Sequence, residues 1–251
     1  MIRQAKWTER NNEYELQWRP FQLGFLLLSA NSIINQDSIE RNILDLLWFP
    51  TGGGKTEAYL LISCFLIFLR RIQSNEDIKY EGINIFMRYT LRTLTVQQFQ
   101  RAAKMIISCE ITRLKNTKNH QNLLGDKPIS IGLWVGSKTT PNRYHEALDK
   151  IYEEDGSTPN QMQDCPCCLK KLKWSKEYSL ISKNYIVLPK CQNENCEINK
   201  LGYLPVYTVD DYVYEMKPTL LIGTIDKFAQ ITRSKNIKYL LSISNERKNQ
   251  T

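Results

Sequence analysis

Two apolar rhythms alternate along this chain. From Pro20 the spacing is helical, with Phe21, Phe25, Leu28 and Leu26 on one face and Pro20 suited to the first turn. Asn42 to Phe49 reads as a buried strand, and a long apolar helix follows from Lys55 to about Arg71. Ile83 to Tyr89 and Ile129 to Val135 are runs apolar enough to lie inside a sheet, separated by a helix expected to end near Cys109. Lys104 to Lys127 is expected to be the end of that helix and a basic loop. Short strand-like pieces recur at Leu172 to Trp174 and Tyr185 to Leu188, then at Pro205 to Val209 and Pro218 to Thr224, before a helix opening at Asp226. Strand, helix and strand in this order predict an α/β fold with a parallel sheet and ligands at the carboxyl ends of its strands.

Composition narrows the class. The 251 residues are 42% hydrophobic and 24% charged, as in an ordinary globular protein. The formal charge of +8 favours an acidic polymer such as nucleic acid, although excess charge also serves solubility. The segment Met1 to Pro20 is too polar for a secretory signal, and the apolar run Ala58 to Leu69 has 12 residues, too few to cross a bilayer. Seven cysteines without such a signal point to a reducing cytoplasm, where close pairs more often bind metal than form disulfides. No membrane partner is expected.

The strongest chemical signal lies between the first expected strand and the long helix. Thr51, Gly52, Gly53, Gly54, Lys55 and Thr56 form a glycine turn entering a helix. Glycines let consecutive amides curl around an anionic oxygen, and the helix adds the positive end of its dipole. Lys55 would reach the β- and γ-phosphates of ATP, and the Thr56 hydroxyl would hold Mg²⁺. The position five residues before Gly54 is Phe49, where a Walker A loop has glycine. Upstream, Gln22 could present its amide to both the acceptor and the donor of an adenine edge, or be a surface glutamine beside a core helix.

Pro50-Thr51-Gly52-x-Gly54-Lys55-Thr56 resembles motif I of superfamily 2 helicases and translocases, and Arg92-x-Leu94-x-x-Gln97 is similar to their motif Ia. Phe86 to Arg92 with Gln97 to Ala103, and Trp134 to Ser137 with Thr140 to Asn142, resemble the helicase subunit of DISARM phage-defence systems. Leu221-Ile222-Gly223-Thr224-x-Asp226-Lys227-Phe228 is similar to motif Ib. The resemblance implies a RecA-like P-loop sheet, ATP and Mg²⁺ at the loop, and DNA held by Thr90, Arg92, Gln97 and Thr224. Other defence proteins are implied as partners. In that family an Asp-Glu strand and a second lobe with an arginine finger follow; here no Asp-Glu dipeptide comes after Lys227, and Asp210-Asp211 precedes the wrong strand. The implied protein is the front portion of a motor, hydrolysing ATP poorly by itself. The alternative is a non-catalytic, zinc-stabilised nucleic-acid-binding fragment.

Cys165-x-x-Cys168 and Cys191-x4-Cys196, separated by 22 residues, can place four thiolates at the corners of a tetrahedron. Such a closed site implies a structural Zn²⁺ in a small ribbon-like insertion, with Cys167 as a spare thiol or an alternative ligand. Trp174, Tyr178 and Tyr185 lie among lysines here, either solvated or resting on nucleic acid. The expected domains are an amino-terminal segment with the adenine-side helix (1–41), the first part of the motor lobe (42–163), the metal insertion (164–201) and a return to the lobe (202–251).

Overall fold

A computed structural model describes residues 17–50, 52–74, 81–90, 92–118, 122–153, 156–181, 183–229 and 240. They fall into two compact units: one within 1–80 and 116–125, the other within 81–115 and 126–251.

In the first unit, α1 (Pro20–Ile34) starts with Pro20 at its opening turn, as expected, and packs on α2 (Lys55–Ile72). Phe25 meets the edge of Tyr59 across that seam, and Arg71 at the end of α2 donates to the carbonyl of Leu124 at 2.6 Å. Phe21 stacks on Phe49, with ring centroids 3.8 Å apart. Leu28 departs from its expected place, since it is exposed.

The larger correction concerns Asn42 to Phe49. A short 3-10 turn covers Ile39–Asn42, and residues 44–50 form no strand. Leu44 is 93% exposed and Trp48 87% exposed. A strand exists only where a neighbour completes its ladder, and apolar content alone does not supply one.

The second unit holds the parallel sheet. Its strands are β1 (Ile85–Tyr89), β2 (Ile131–Trp134), β5 (Val206–Tyr207) and β6 (Leu220–Thr224), in the order β1-β6-β2-β5. The two central strands, β2 and β6, are buried along their whole length, while edge strand β1 alternates between half-buried and exposed positions. Burial along the whole of β2 and β6 is the expected signature of central strands covered on both faces. Gly223 is required by packing: a Cβ there would lie 2.8 Å from the Trp134 carbonyl oxygen on the neighbouring strand.

Between β1 and β2 runs α3 (Arg92–Lys118), longer than its apolar pattern suggests. Its later turns look polar because they contain Glu110 and Arg113, yet both are buried as an ion pair. The Glu110 carboxylate accepts from Arg113 at 2.8 and 2.6 Å and from the Ile129 amide at 2.8 Å. Charge sequestered in this way reads as loop in a sequence and functions as core in the fold.

After α4 (Tyr144–Asp149), the chain forms the antiparallel hairpin β3 (Leu172–Ser179) and β4 (Asn184–Cys191), then returns through β5 and α5 (Asp210–Met216) to β6 and α6 (Ile225–Ala229). The hairpin base is fastened to this unit: Trp174 donates to the Met162 carbonyl at 2.9 Å, and the Val187 amide donates to the Tyr212 hydroxyl at 3.2 Å. No helix among the described residues is long and apolar enough to cross a membrane.

Candidate nucleotide loop and cysteine centre

The glycine loop is shaped by its neighbours on α1. Gly52 and Gly54 have φ of 78° and 96°, a region costly for any residue with a Cβ. Gly54 is the N-cap of α2, placing Lys55 and Thr56 in the first helical turn. Arg19 donates to the Gly53 carbonyl at 2.9 Å, and the Gln22 amide nitrogen donates to the Gly54 carbonyl at 2.9 Å. A planar trans peptide points its N–H opposite its C=O. Holding the Gly53 carbonyl toward Arg19 therefore turns the Gly54 amide to the other side of the loop.

Gln22 is buried, and its carbonyl oxygen accepts from the Arg19 amide at 2.9 Å. Both ends of its side chain are thus engaged with backbone, which gives it a loop-holding role that the sequence did not suggest. Lys55 folds back to donate to the Phe49 carbonyl at 2.6 Å. Thr56 is half-buried, and Thr51 lies outside the described residues.

The expected nucleic-acid residues belong to the sheet unit. Tyr89 at the end of β1 pairs with Thr224 at the end of β6, so Thr90 and Thr224 share the carboxyl edge of the sheet. Thr90 is exposed and Arg92 opens α3; Gln97 is exposed further along that helix. Thr224 is buried. After Trp134 ends β2, residues 135–142 form the turn that receives α5: Asp210 and Asp211 amides donate to the carbonyls of Pro141 and Asn142 at 3.4 and 3.1 Å.

Near that edge lies a cluster the sequence reading missed. Lys227 hydrogen-bonds Asp210, both almost fully buried, and the Lys227 ammonium sits 5.9 Å from the Trp134 ring centroid. Burial raises the Asp210 carboxyl, and the attraction of Lys227 does not fully offset it. A raised carboxyl contributes stability at low pH that fades as pH climbs through its folded value. At pH above that value the carboxyl is ionised, and there Lys227→Met should cost about 3–5 kcal/mol by stranding a buried carboxylate. The double change Asp210→Leu with Lys227→Met should recover most of that loss. Urea titrations of wild type, Lys227→Met and the double variant test this, and a double variant no more stable than Lys227→Met would refute it.

The cysteines converge as expected. The Sγ atoms of Cys165, Cys168, Cys191 and Cys196 all lie within 4.8 Å of one another. Cys165 to Cys196 and Cys168 to Cys191 are separated by 3.8 and 3.7 Å. A tetrahedron with metal–sulfur bonds of about 2.3 Å has edges of about 3.8 Å, so these thiols fit a metal ion. Backbone turns build the knuckles: the Leu169 amide donates to the Cys165 carbonyl at 3.0 Å, and the Cys196 amide to the Asn193 carbonyl at 2.9 Å. Asn199 clamps the Cys191 carbonyl at 2.7 Å.

Burial pushes the Cys165 and Cys191 thiols up. For Cys168 burial acts the same way, but the Lys170 amide and the Asn193 side chain, with neighbouring thiols, bring it down to about 7. Cys167 falls outside the group, and burial foremost raises its thiol to about 11. Geometry thus selects the Cys165/Cys168 register over the one using Cys167.

The DISARM protein DrmA of Bacillus paralicheniformis is 41% identical over 241 residues, covering 89% of this chain and 21% of that protein. The chain is related to DrmA. It spans about a fifth of the length of this curated relative. No family model matches the chain. The stretch related to DrmA covers nearly all of this chain, and the chain includes both the glycine loop and the four converging cysteines.

Proposed function

We propose that this DrmA relative carries the ATP-binding loop and part of the DNA-facing surface of an ATP-dependent helicase or translocase in a DISARM-type phage-defence system. The observation that carries the reading is the Gly52–Gly54 turn capping an 18-residue helix, with Lys55 and Thr56 in its first turn. The loop is a nest of amides whose carbonyls are held from behind by Arg19 and Gln22. A polyphosphate would take the Lys55 ammonium from the Phe49 carbonyl, and Thr56 would hold Mg²⁺ beside it. Gln22 would then link the adenine side to the loop. Phosphoryl transfer to water is the chemistry that the nucleotide and metal supply when bound. This chain's residues bind, orient and screen charge.

Thr90, Arg92 and Gln97 would position a DNA backbone near the carboxyl edge of the sheet, supported by the buried Thr224 of that edge, without reading its sequence. Zn²⁺ in the four-cysteine centre would be structural, because all four positions are protein ligands. A second reading, a non-catalytic zinc-stabilised DNA-binding module, is favoured by two features of the loop. Residues 44–50 form no sheet strand, and Lys55 rests on its own loop carbonyl.

Fluorescence anisotropy with single- and double-stranded DNA, with and without a non-hydrolysable ATP analogue, tests the proposal. Affinity should fall with salt, with a log–log slope of about −0.7 for each single-strand phosphate neutralised. It should also shift when the analogue is added. DNA binding that ignores the analogue leaves the second reading standing; no DNA binding at low salt refutes both.

A further inference from the structure

The β3–β4 hairpin extends further than its packing requires. Its base is core: Leu172, Trp174, Val187 and Leu188 are buried. Toward the turn the face carrying Tyr178 and Tyr185 changes character, while Ile186 and Ser179 on the other face stay buried. Tyr178 and Tyr185, directly opposite in the ladder, are about half exposed, with ring centroids 5.4 Å apart in an edge arrangement. Leu180 and Ile181 at the turn are 85% and 70% exposed. Side chains this apolar on a turn leave large apolar area in water.

The charge pattern identifies what fits there. Residues 170–190 contain six lysines and one glutamate, a local charge of 6 − 1 = +5. In a strand pair, cross-ladder partners share a face. Lys176, paired with Val187, and Tyr178, paired with Tyr185, lie on one face, whereas Glu177, the lone acid, lies on the other with Ile186. The Lys176 ammonium sits 4.6 Å from the centroid of the Tyr185 ring. A cation over one tyrosine ring with a second ring at its edge, and no hairpin carboxylate on that face, suits a partner that is anionic and flat. Unpaired nucleic-acid bases on their phosphate backbone have that chemistry, and any base offers a π-face.

We propose that the outer half of this hairpin binds single-stranded nucleic acid, with bases stacked on Tyr178 and Tyr185 against the Leu180–Ile181 tip and Lys176 meeting a phosphate. The surface rests on the nucleic-acid reading above but not on the nucleotide loop. It lies on the metal-stabilised insertion rather than on the expected motif residues at the sheet edge. Stacking by aromatic side chains tolerates any sequence, so the contact should follow strand state and not base identity.

The test compares binding of the whole chain to a thymidine oligonucleotide and to an abasic oligonucleotide of equal length, which keeps the phosphates and removes the bases. Wild type should prefer the oligonucleotide with bases by about tenfold or more. Tyr178→Ala with Tyr185→Ala should abolish that preference while abasic binding persists, and Tyr178→Phe with Tyr185→Phe should retain it. An unchanged metal-to-protein ratio in each variant establishes that the insertion is still folded. If the alanine variant keeps the preference, or wild type has none while binding both oligonucleotides, the hairpin proposal is overturned. If wild type binds neither strand, the nucleic-acid reading itself fails.

Discussion

Cys191→Ser should leave the purified chain without its metal, and amide exchange across β3 and β4 should become fast while β2 and β6 stay protected. A two-stranded hairpin is at best marginally stable alone, and the outer half of this one is largely in water. Metal closure of the four-thiolate site would supply the missing stability; structural zinc binding in small peptides is worth about 10–16 kcal/mol near neutral pH. Removing one ligand loses most of that and leaves three thiols crowded without the ion that would hold them. Wild type should contain one zinc per chain by elemental analysis. Cys167→Ser should retain it, because Cys167 is not among the four converging thiols. Stoichiometric zinc in Cys191→Ser, or a wild-type chain that neither contains nor takes up zinc, would sink the metal assignment.

The elements that local pattern alone could reveal were the ones whose stabilisation is local or uniform. The central strands are unbroken apolar runs because both faces are covered, so Leu220–Thr224 and Ile131–Trp134 announced themselves. The cysteine knuckles did so through spacing, since the turns that aim each pair are closed by nearby backbone bonds. Residues 42–49 were misread for the converse reason. Their apolar content matches a buried strand, but strand formation depends on a partner elsewhere in the chain, and local pattern cannot show whether one is present. Asp210 and Lys227 were invisible as a pair because they meet only when β6 brings α6 back beside the start of α5. Gln22 was singled out for its amide, and the fold supplied a use for that amide on the Gly54 carbonyl. The site was therefore legible in residue types and much less so in which groups hold one another.

Lys55→Ala should weaken binding of magnesium–ATP by about ten- to a hundredfold, the worth of one charge-assisted hydrogen bond of about 1.5–3 kcal/mol. The expectation follows from what remains in the loop. Backbone amides and the helix dipole persist in the variant, so binding should fall without vanishing. The Lys55 ammonium now satisfies the Phe49 carbonyl, and part of its intrinsic affinity for phosphate is spent leaving that contact. Gly54→Ala should weaken binding by a different route. Its φ of 96° disfavours alanine, and the added Cβ would lie 2.8 Å from the Gln22 amide nitrogen that holds the loop. Gly24→Ala, which meets nothing within 4 Å, is the matched control and should bind as wild type does. Calorimetry on the four proteins decides the matter. Equal heats from wild type and Lys55→Ala would mean that the polyphosphate sits elsewhere, and the glycine turn would then be only a connection between a segment and a helix.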